Sequence, residues 1–371
     1  MSDVRPPAAP VHFSPGELSA LPAVPISLRS RVRLFLDRHA ASGLRVGLGL
    51  LLGAVFTALV LRTVDLDAVY DLLAKASVLP VVVGLCAFVL DFVLRAARFS
   101  WMLRLAMGQP VPLRRSVGPY IASFGVSDIL PLRIGDGFRI LWFSRRFVIP
   151  VGTLAGTMIM ERVFDLLTIV ILCGLCLAWV DVPEATLLVQ VLLLALAVSL
   201  VGGLCLLFGP SLLARALGYL SRRFRIAFLD RPVAFLQVSA QAIGSVRSWR
   251  HVGSLAVLSL GLWLLESVAM IGAWVSLGGD VGAWLKPLLA FSFSTLGTMV
   301  PSLPGHFGTF EFFGLQAFKL GAVDENMAAA VLLLAHLVIW LPTALFGIGW
   351  LLLGANVSKG QVVPLARPEQ G

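Results

Sequence analysis

The chain has 371 residues, of which 58% are hydrophobic and only 13% charged, with a mean hydropathy of +0.93. A soluble domain carries about 25% charged residues, so this composition excludes an ordinary globular protein and points to a polytopic membrane protein. The net charge of +9 would suit a nucleic-acid binder in a soluble protein; here it is the expected mark of cytoplasmic loops, and no nucleic-acid partner is expected.

The apolar runs are continuous rather than alternating, so they predict helices and not barrel strands. Residues 1–45 read as a Pro/Ala/Ser-rich disordered tail ending in a basic juxtamembrane segment with Arg29, Arg31, Arg33, Arg38 and Arg45. No signal-peptide pattern is read there. Val46–Val64 is the first predicted span, followed by an acidic turn at Asp65, Asp67 and Asp71. Val78–Leu94 is the second, with Asp91 near its end; Asp91 and Arg95 are i,i+4 and most simply form a helix-end salt bridge. Within the basic stretch that follows, Ser116–Leu130 is apolar but about half the length a crossing needs. Ile149–Val180 and Thr186–Phe208 are the third and fourth spans. Residues 209–251 form an arginine-rich loop whose middle reads as an amphipathic surface helix. Val252–Leu277 is the fifth span, Ala283–Leu320 a second apolar region broken by Pro and Gly, and Met327–Gly354 the sixth span. A polar tail, 355–371, closes the chain. Cys86, Cys173, Cys176 and Cys205 lie in apolar runs and read as packing residues, the C-x-x-C spacing notwithstanding.

The lysines and arginines fix an orientation. With both termini cytoplasmic, only Arg62, Lys75, Lys286 and Lys319 fall on the outer side, and Arg162 alone lies within a span. The broken segment at 116–147 begins and ends among arginines, so it enters from the cytoplasm; that at 283–322 lies between Asp280 and Asp324, so it enters from outside. The two sit in matching frames. Asp91 precedes Pro131 by 40 residues and Glu266 precedes Pro304 by 38, and each proline opens a Pro-x-x-x-Gly ending at Gly135 or Gly308. The expectation is an all-α domain over 46–354 with six full transmembrane helices and two oppositely facing re-entrant segments. Its halves, about 78–180 and 252–354, form an inverted repeat. Broken helices in corresponding positions of inverted repeats point to a transport site at the repeat interface.

The candidate site residues follow from the cost of charge in a bilayer. Glu161, Arg162 and Asp165 lie on one span, with Glu161 and Asp165 i,i+4 on a shared face. Arg162 either binds a lipid phosphate bidentately or holds a structural ion pair. Arg133, Asp136 and Arg139 follow a helix break, where free N–H groups favour anions; the alternative is an ordinary basic turn. Pro304, Gly305, Gly308 and Glu311 mirror them from the other side, and Glu266 lies near mid-span. His306 and His336 either titrate or are held by ordinary hydrogen bonds, and for His336 the structural reading is preferred. No G-x-S-x-G, P-loop, H-E-x-x-H or EF-hand pattern is present, so neither catalytic residues, nor a cofactor, nor a metal site is expected.

Pro131-Leu-Arg-Ile-Gly-Asp136 with Arg139, Glu161-Arg-Val-Phe-Asp165, and Pro301-Ser-Leu-Pro-Gly-His-Phe-Gly308 with Glu311 resemble the flippase-like membrane domain of lysylphosphatidylglycerol synthases. The resemblance covers roughly residues 45–355 and departs at His306, which stands where a second glycine is usual. It implies a lipid-translocating, non-enzymatic, stand-alone member without the aminoacyl-transfer domain. The implied partners are membrane lipids, either an anionic phospholipid or a polyprenyl- or hopanoid-type lipid, together with a lipid-synthesis enzyme. The implied location is the bacterial inner membrane. The alternatives are a membrane-embedded lipid-modifying enzyme and a non-transporting partner of a lipid or cell-envelope synthesis enzyme.

Overall fold

The computed structural model describes residues 40–130, 134–179, 201, 202, 205, 209–221, 223, 230–246, 248–300 and 303–354. Among the described residues there is no strand. The principal helices are α1 (Ala40–Leu61), α2 (Leu66–Ala74), α3 (Val78–Met107), α4 (Leu113–Ile129), α5 (Ile134–Phe147), α6 (Val151–Trp179), α7 (Asp230–Gly244), α8 (Trp249–Ser276), α9 (Leu285–Gly297), α10 (Thr309–Leu320) and α11 (Glu325–Gly354).

Among the described residues, four helices are long and apolar enough to cross a membrane: α3, α6, α8 and α11. At about 1.5 Å per residue, helices of 28 to 30 residues exceed a hydrocarbon core of about 30 Å even when tilted. Helices α1 and α2 make a fifth crossing if counted together, bent by 82°. The bend has a local cause. Asp65 caps α2, accepting from the backbone N–H groups of Asp67 and Ala68, and its own N–H donates to Asn326 at the start of α11. The predicted span over Thr186–Phe208 lies mostly outside the described residues.

One boundary differs from the sequence reading in a way that matters. The second span does not end at Leu94. Nothing between Arg95 and Met107 breaks a helix, and α3 continues to a left-handed cap at Gly108 (φ 69°). Asp91 and Arg95 therefore lie mid-helix and buried, not at a helix end.

Many of the contacts between helices come in matched pairs, while those of α7 with α6 and α3 and of α2 with α11 have no counterpart. Helix α3 packs on α8. Helix α4 packs on α11 as α9 packs on α6, and α3 meets α6 as α8 meets α11. Helix α3 touches α11 as α8 touches α6; α4 folds on α5 as α9 folds on α10; α5 rests on α6 as α10 rests on α11. Glycine permits the closest of these approaches. Gly125 of α4 lies directly against Thr343 and Gly347 of α11, where even a Cβ would overlap backbone. Behind the α9–α10 pair lies an apolar core including Phe291, Phe310, Phe318, Leu289 and Leu332; behind α4–α5 lies another, including Phe88, Phe99, Phe143, Phe147 and Leu154.

Candidate functional site

The first charged cluster is closed. Helix α5 directs Arg139 inward, where its Nε donates to Ser123 Oγ (3.0 Å) and its Nη1 to Glu161 of α6 (3.1 and 3.3 Å). Tyr120 of α4 donates its hydroxyl to the same carboxylate at 3.0 Å. The guanidinium lies over the rings of Tyr120 (4.4 Å), Phe124 (4.7 Å) and Phe99 (5.4 Å), an arrangement that favours a cation. Arg139 and Glu161 are each 1% exposed.

The second cluster is larger and partly open. Arg95 donates through Nε to Asp91 (2.6 Å) and through Nη2 to Glu266 of α8 (2.5 Å), and approaches Asp165 of α6 at 3.8 Å. Its guanidinium lies 4.4 Å over the Trp263 ring. Arg98, one turn on, grips both oxygens of Asp165 (2.7 and 3.1 Å) and donates to Ser259 at 2.7 Å. A charge at the bilayer centre costs about 2.5–3.5 kcal/mol on insertion scales, and mutual pairing offsets that cost here. Between the clusters, Arg162 donates to Asp136 at 3.1 Å, with the two side chains 39% and 30% exposed.

The third element is the turn between α9 and α10. Gly305 (φ 72°), His306 (φ 62°) and Gly308 (φ 87°) take left-handed backbone conformations, the glycines at no steric cost and His306 under strain. Gly308 caps α10, and its N–H donates to Glu311 Oε2 at 2.7 Å. Glu311 Oε1 contacts His336 Nδ1 of α11, and His336 Nε2 lies 2.8 Å from the Gly305 carbonyl oxygen. The imidazole is held between the rings of Phe307 and Phe310, at 4.5 and 4.4 Å.

These elements surround a cavity of about 200 Å³. Arg95, Arg162, Asp165 and Glu266 contribute its charged wall, and Trp263, Phe291 and Trp340 much of its aromatic wall. Both broken segments reach it: the end of α4 through Phe124, Ser127 and Asp128, and the outer turn through Gly305 and His306. Asp128 is tied across to α11, where the Thr343 hydroxyl donates to it at 2.7 Å. A second, largely apolar cavity of about 190 Å³ lies between α1, α2, α10 and α11, lined by Gly308 and Glu311 among others. Among the described residues no cluster of three or more His, Cys, Asp or Glu side chains is placed to hold a metal ion.

Of the residues singled out from sequence, Arg162, Asp165, Glu266 and Gly305 line the central cavity. Asp136, Arg139 and Glu161 lie behind it, while Pro304, Gly308 and Glu311 build the turn at its edge. Arg133 lies outside the described residues. Sequence reasoning paired Arg95 with Asp91, and the two do pair, but it set them at a helix end and passed over Arg98, because both arginines were counted with the cytoplasmic ones. The signal was available: Asp91, Arg95 and Arg98 recur at helical spacing with Phe92, Phe99 and Met102 between and beyond them, and no Gly or Pro interrupts the run.

Comparison with known proteins bears on the same stretch of chain. Residues 46–347 match the lysylphosphatidylglycerol synthase transmembrane region. The chain is also similar to the glycosyltransferase AglD of Haloferax volcanii, 26% identical over 340 residues, covering 84% of this chain and 54% of that protein. It thus spans about half the length of that curated relative. With apolar helices of crossing length and a family match over most of its length, this multi-pass membrane protein belongs to the lysylphosphatidylglycerol synthase transmembrane-region family.

Proposed function

We propose that this protein moves a lipid bearing an anionic or lipid-linked sugar headgroup between membrane leaflets. The observation that carries this reading is the convergence of both broken segments on one charged cavity. Non-helical backbone at membrane depth is tolerated where protein or a water-filled cavity surrounds it, and the cavity supplies that setting. In this reading the paired helix contacts reflect two units of inverted topology, α3–α6 and α8–α11, within a domain of six crossings over 46–354. Both termini are cytoplasmic and the membrane is the plasma membrane. The headgroup phosphate exchanges onto Arg162 and Arg95 in place of the carboxylates that hold them at rest, because guanidinium matches phosphate oxygens as well as carboxylate oxygens. The acyl chains remain in the bilayer beside the groove. Asp136, Arg139, Glu161, Pro304, Gly305, Gly308 and Glu311 hold the groove's shape.

The test is leaflet exchange of labelled lipids in vesicles containing the purified protein, using an anionic phospholipid and a polyprenyl-phosphate sugar in separate trials. Wild type should exchange one of them and Arg162→Ala should not. Normal exchange by Arg162→Ala, or none by wild type with either lipid, contradicts the reading.

A second reading has one observation in its favour: the similar archaeal protein is named a glycosyltransferase. Here the chain would modify a lipid-linked sugar within the membrane, with Asp165 and Glu266 as the available acid and base. Product formation by purified protein in detergent, where no leaflets exist, favours this second reading over translocation.

A further inference from the structure

The contact between Glu311 and His336 differs in kind from the guanidinium clusters, because its geometry fixes a proton count. His336 faces two oxygen partners, one through each ring nitrogen. The Gly305 carbonyl oxygen accepts only, so Nε2 must carry a hydrogen to bond it at 2.8 Å. A neutral imidazole then has a bare Nδ1, and that nitrogen faces Glu311. Two lone pairs cannot share a hydrogen bond. Either His336 is an imidazolium beside a carboxylate, or Glu311 is a carboxylic acid donating to Nδ1. Both descriptions contain the same proton, held between the two side chains.

The pair also separates two cavities. His336 lines the central cavity and Glu311 lines the apolar one between α1, α2, α10 and α11. And it holds a strained turn: His336 clamps the Gly305 carbonyl, while Glu311 clamps the Gly308 N–H at 2.7 Å, on either side of His306 at φ 62°. We propose that Glu311 and His336 form a proton-binding pair between the two cavities that latches the Pro304–Gly308 turn, and that loss of the proton releases it.

The release follows from the same counting. When the proton leaves to water in either cavity, the imidazole keeps one N–H and faces two acceptors. It can satisfy Glu311 or Gly305, not both, so one end of the latch becomes a repulsive contact. Other charged and titratable groups face the central cavity: Arg95 on α3, Asp128 on α4, Arg162 and Asp165 on α6, Glu266 on α8 and His306 in the turn. In the apolar cavity Glu311 is the one charged lining residue among those described. The link to headgroup movement rests on the translocation reading above; the proton count does not.

Two measurements separate them. Infrared and nitrogen-15 spectra of the purified protein at neutral pH should contain either a carboxylic-acid band lost in Glu311→Gln or an imidazolium signal lost in His336→Gln. An ionised Glu311 beside a neutral His336 overturns the proposal, and because the signal belongs to one shared proton, either variant alone assigns it if the other fails to fold. In vesicles, wild-type exchange should rise with pH. Glu311→Gln places an amide N–H where the proton sat, so its exchange should be slow and flat across pH. A wild-type pH profile in Glu311→Gln overturns the latch, since Asp165, Glu266 and His306 are untouched in that variant. Absence of wild-type exchange at every pH overturns the translocation reading alone, and the spectra still decide the proton site.

Discussion

The two guanidinium clusters use the same groups in opposite settings. Around Arg139, the close partners all lie within the protein: the Glu161 carboxylate, which Tyr120 also holds, a serine, and three aromatic faces, of which Phe124 alone also lines the cavity, with Asp136 farther off at 3.9 Å. Around Arg95 and Arg98, three carboxylates face two guanidinium groups, and part of the arrangement forms the wall of a 200 Å³ cavity. Pairing one cation with one anion in a closed shell fixes a structure. Surrounding a cation with more anions than it needs, beside open space, leaves it able to exchange one of them for another. The difference separates charges that hold α4, α5 and α6 together from charges that, on the proposed path, meet the headgroup.

The largest effect on stability should come from Arg139→Ala. It leaves Glu161 buried without its cation, at a cost of about 3–5 kcal/mol, seen as a lower unfolding temperature in detergent. Exchange should fall in proportion to folded protein. Arg139→Lys should rescue poorly, because the ring stacking and the planar fork are lost together. Gly125→Ala should cost less, about 1–3 kcal/mol from overpacking against Thr343 and Gly347, read in the same unfolding experiment. Arg162→Ala should change stability least, by about 0–1 kcal/mol, because its pair with Asp136 is partly solvated. Yet this variant should lose leaflet exchange. If unfolding temperature and exchange fall in parallel across all three, the distinction between closed and open clusters fails.

Much of this arrangement was legible in the sequence. Hydropathy gives the long helices, and the cost of intramembrane charge picks out Glu161, Arg162, Asp165 and Glu266. The Pro-Gly spacing at 304–308 marks the turn, whose left-handed glycines and capping Glu311 follow from its residues. What the pattern could not give is which charges meet. Glu161 and Asp165 share a helix face, but the first joins Arg139 and the second Arg98. That assignment depends on how α3 and α5 pack against α6, which is tertiary information. Arg95 and Arg98 were misplaced for a physical reason: the rule that puts arginines in cytoplasmic loops assumes they are unpaired, and here Asp91, Asp165 and Glu266 compensate them.

Glu266→Gln tests the central claim most directly. It removes one anion from the open cluster while leaving Arg95 with Asp91 and Asp165. The decisive measurement is the rate of leaflet exchange in vesicles at matched protein content, alongside the unfolding temperature. The account predicts lost exchange with near-wild-type stability. Wild-type exchange in a stably folded Glu266→Gln protein would contradict it.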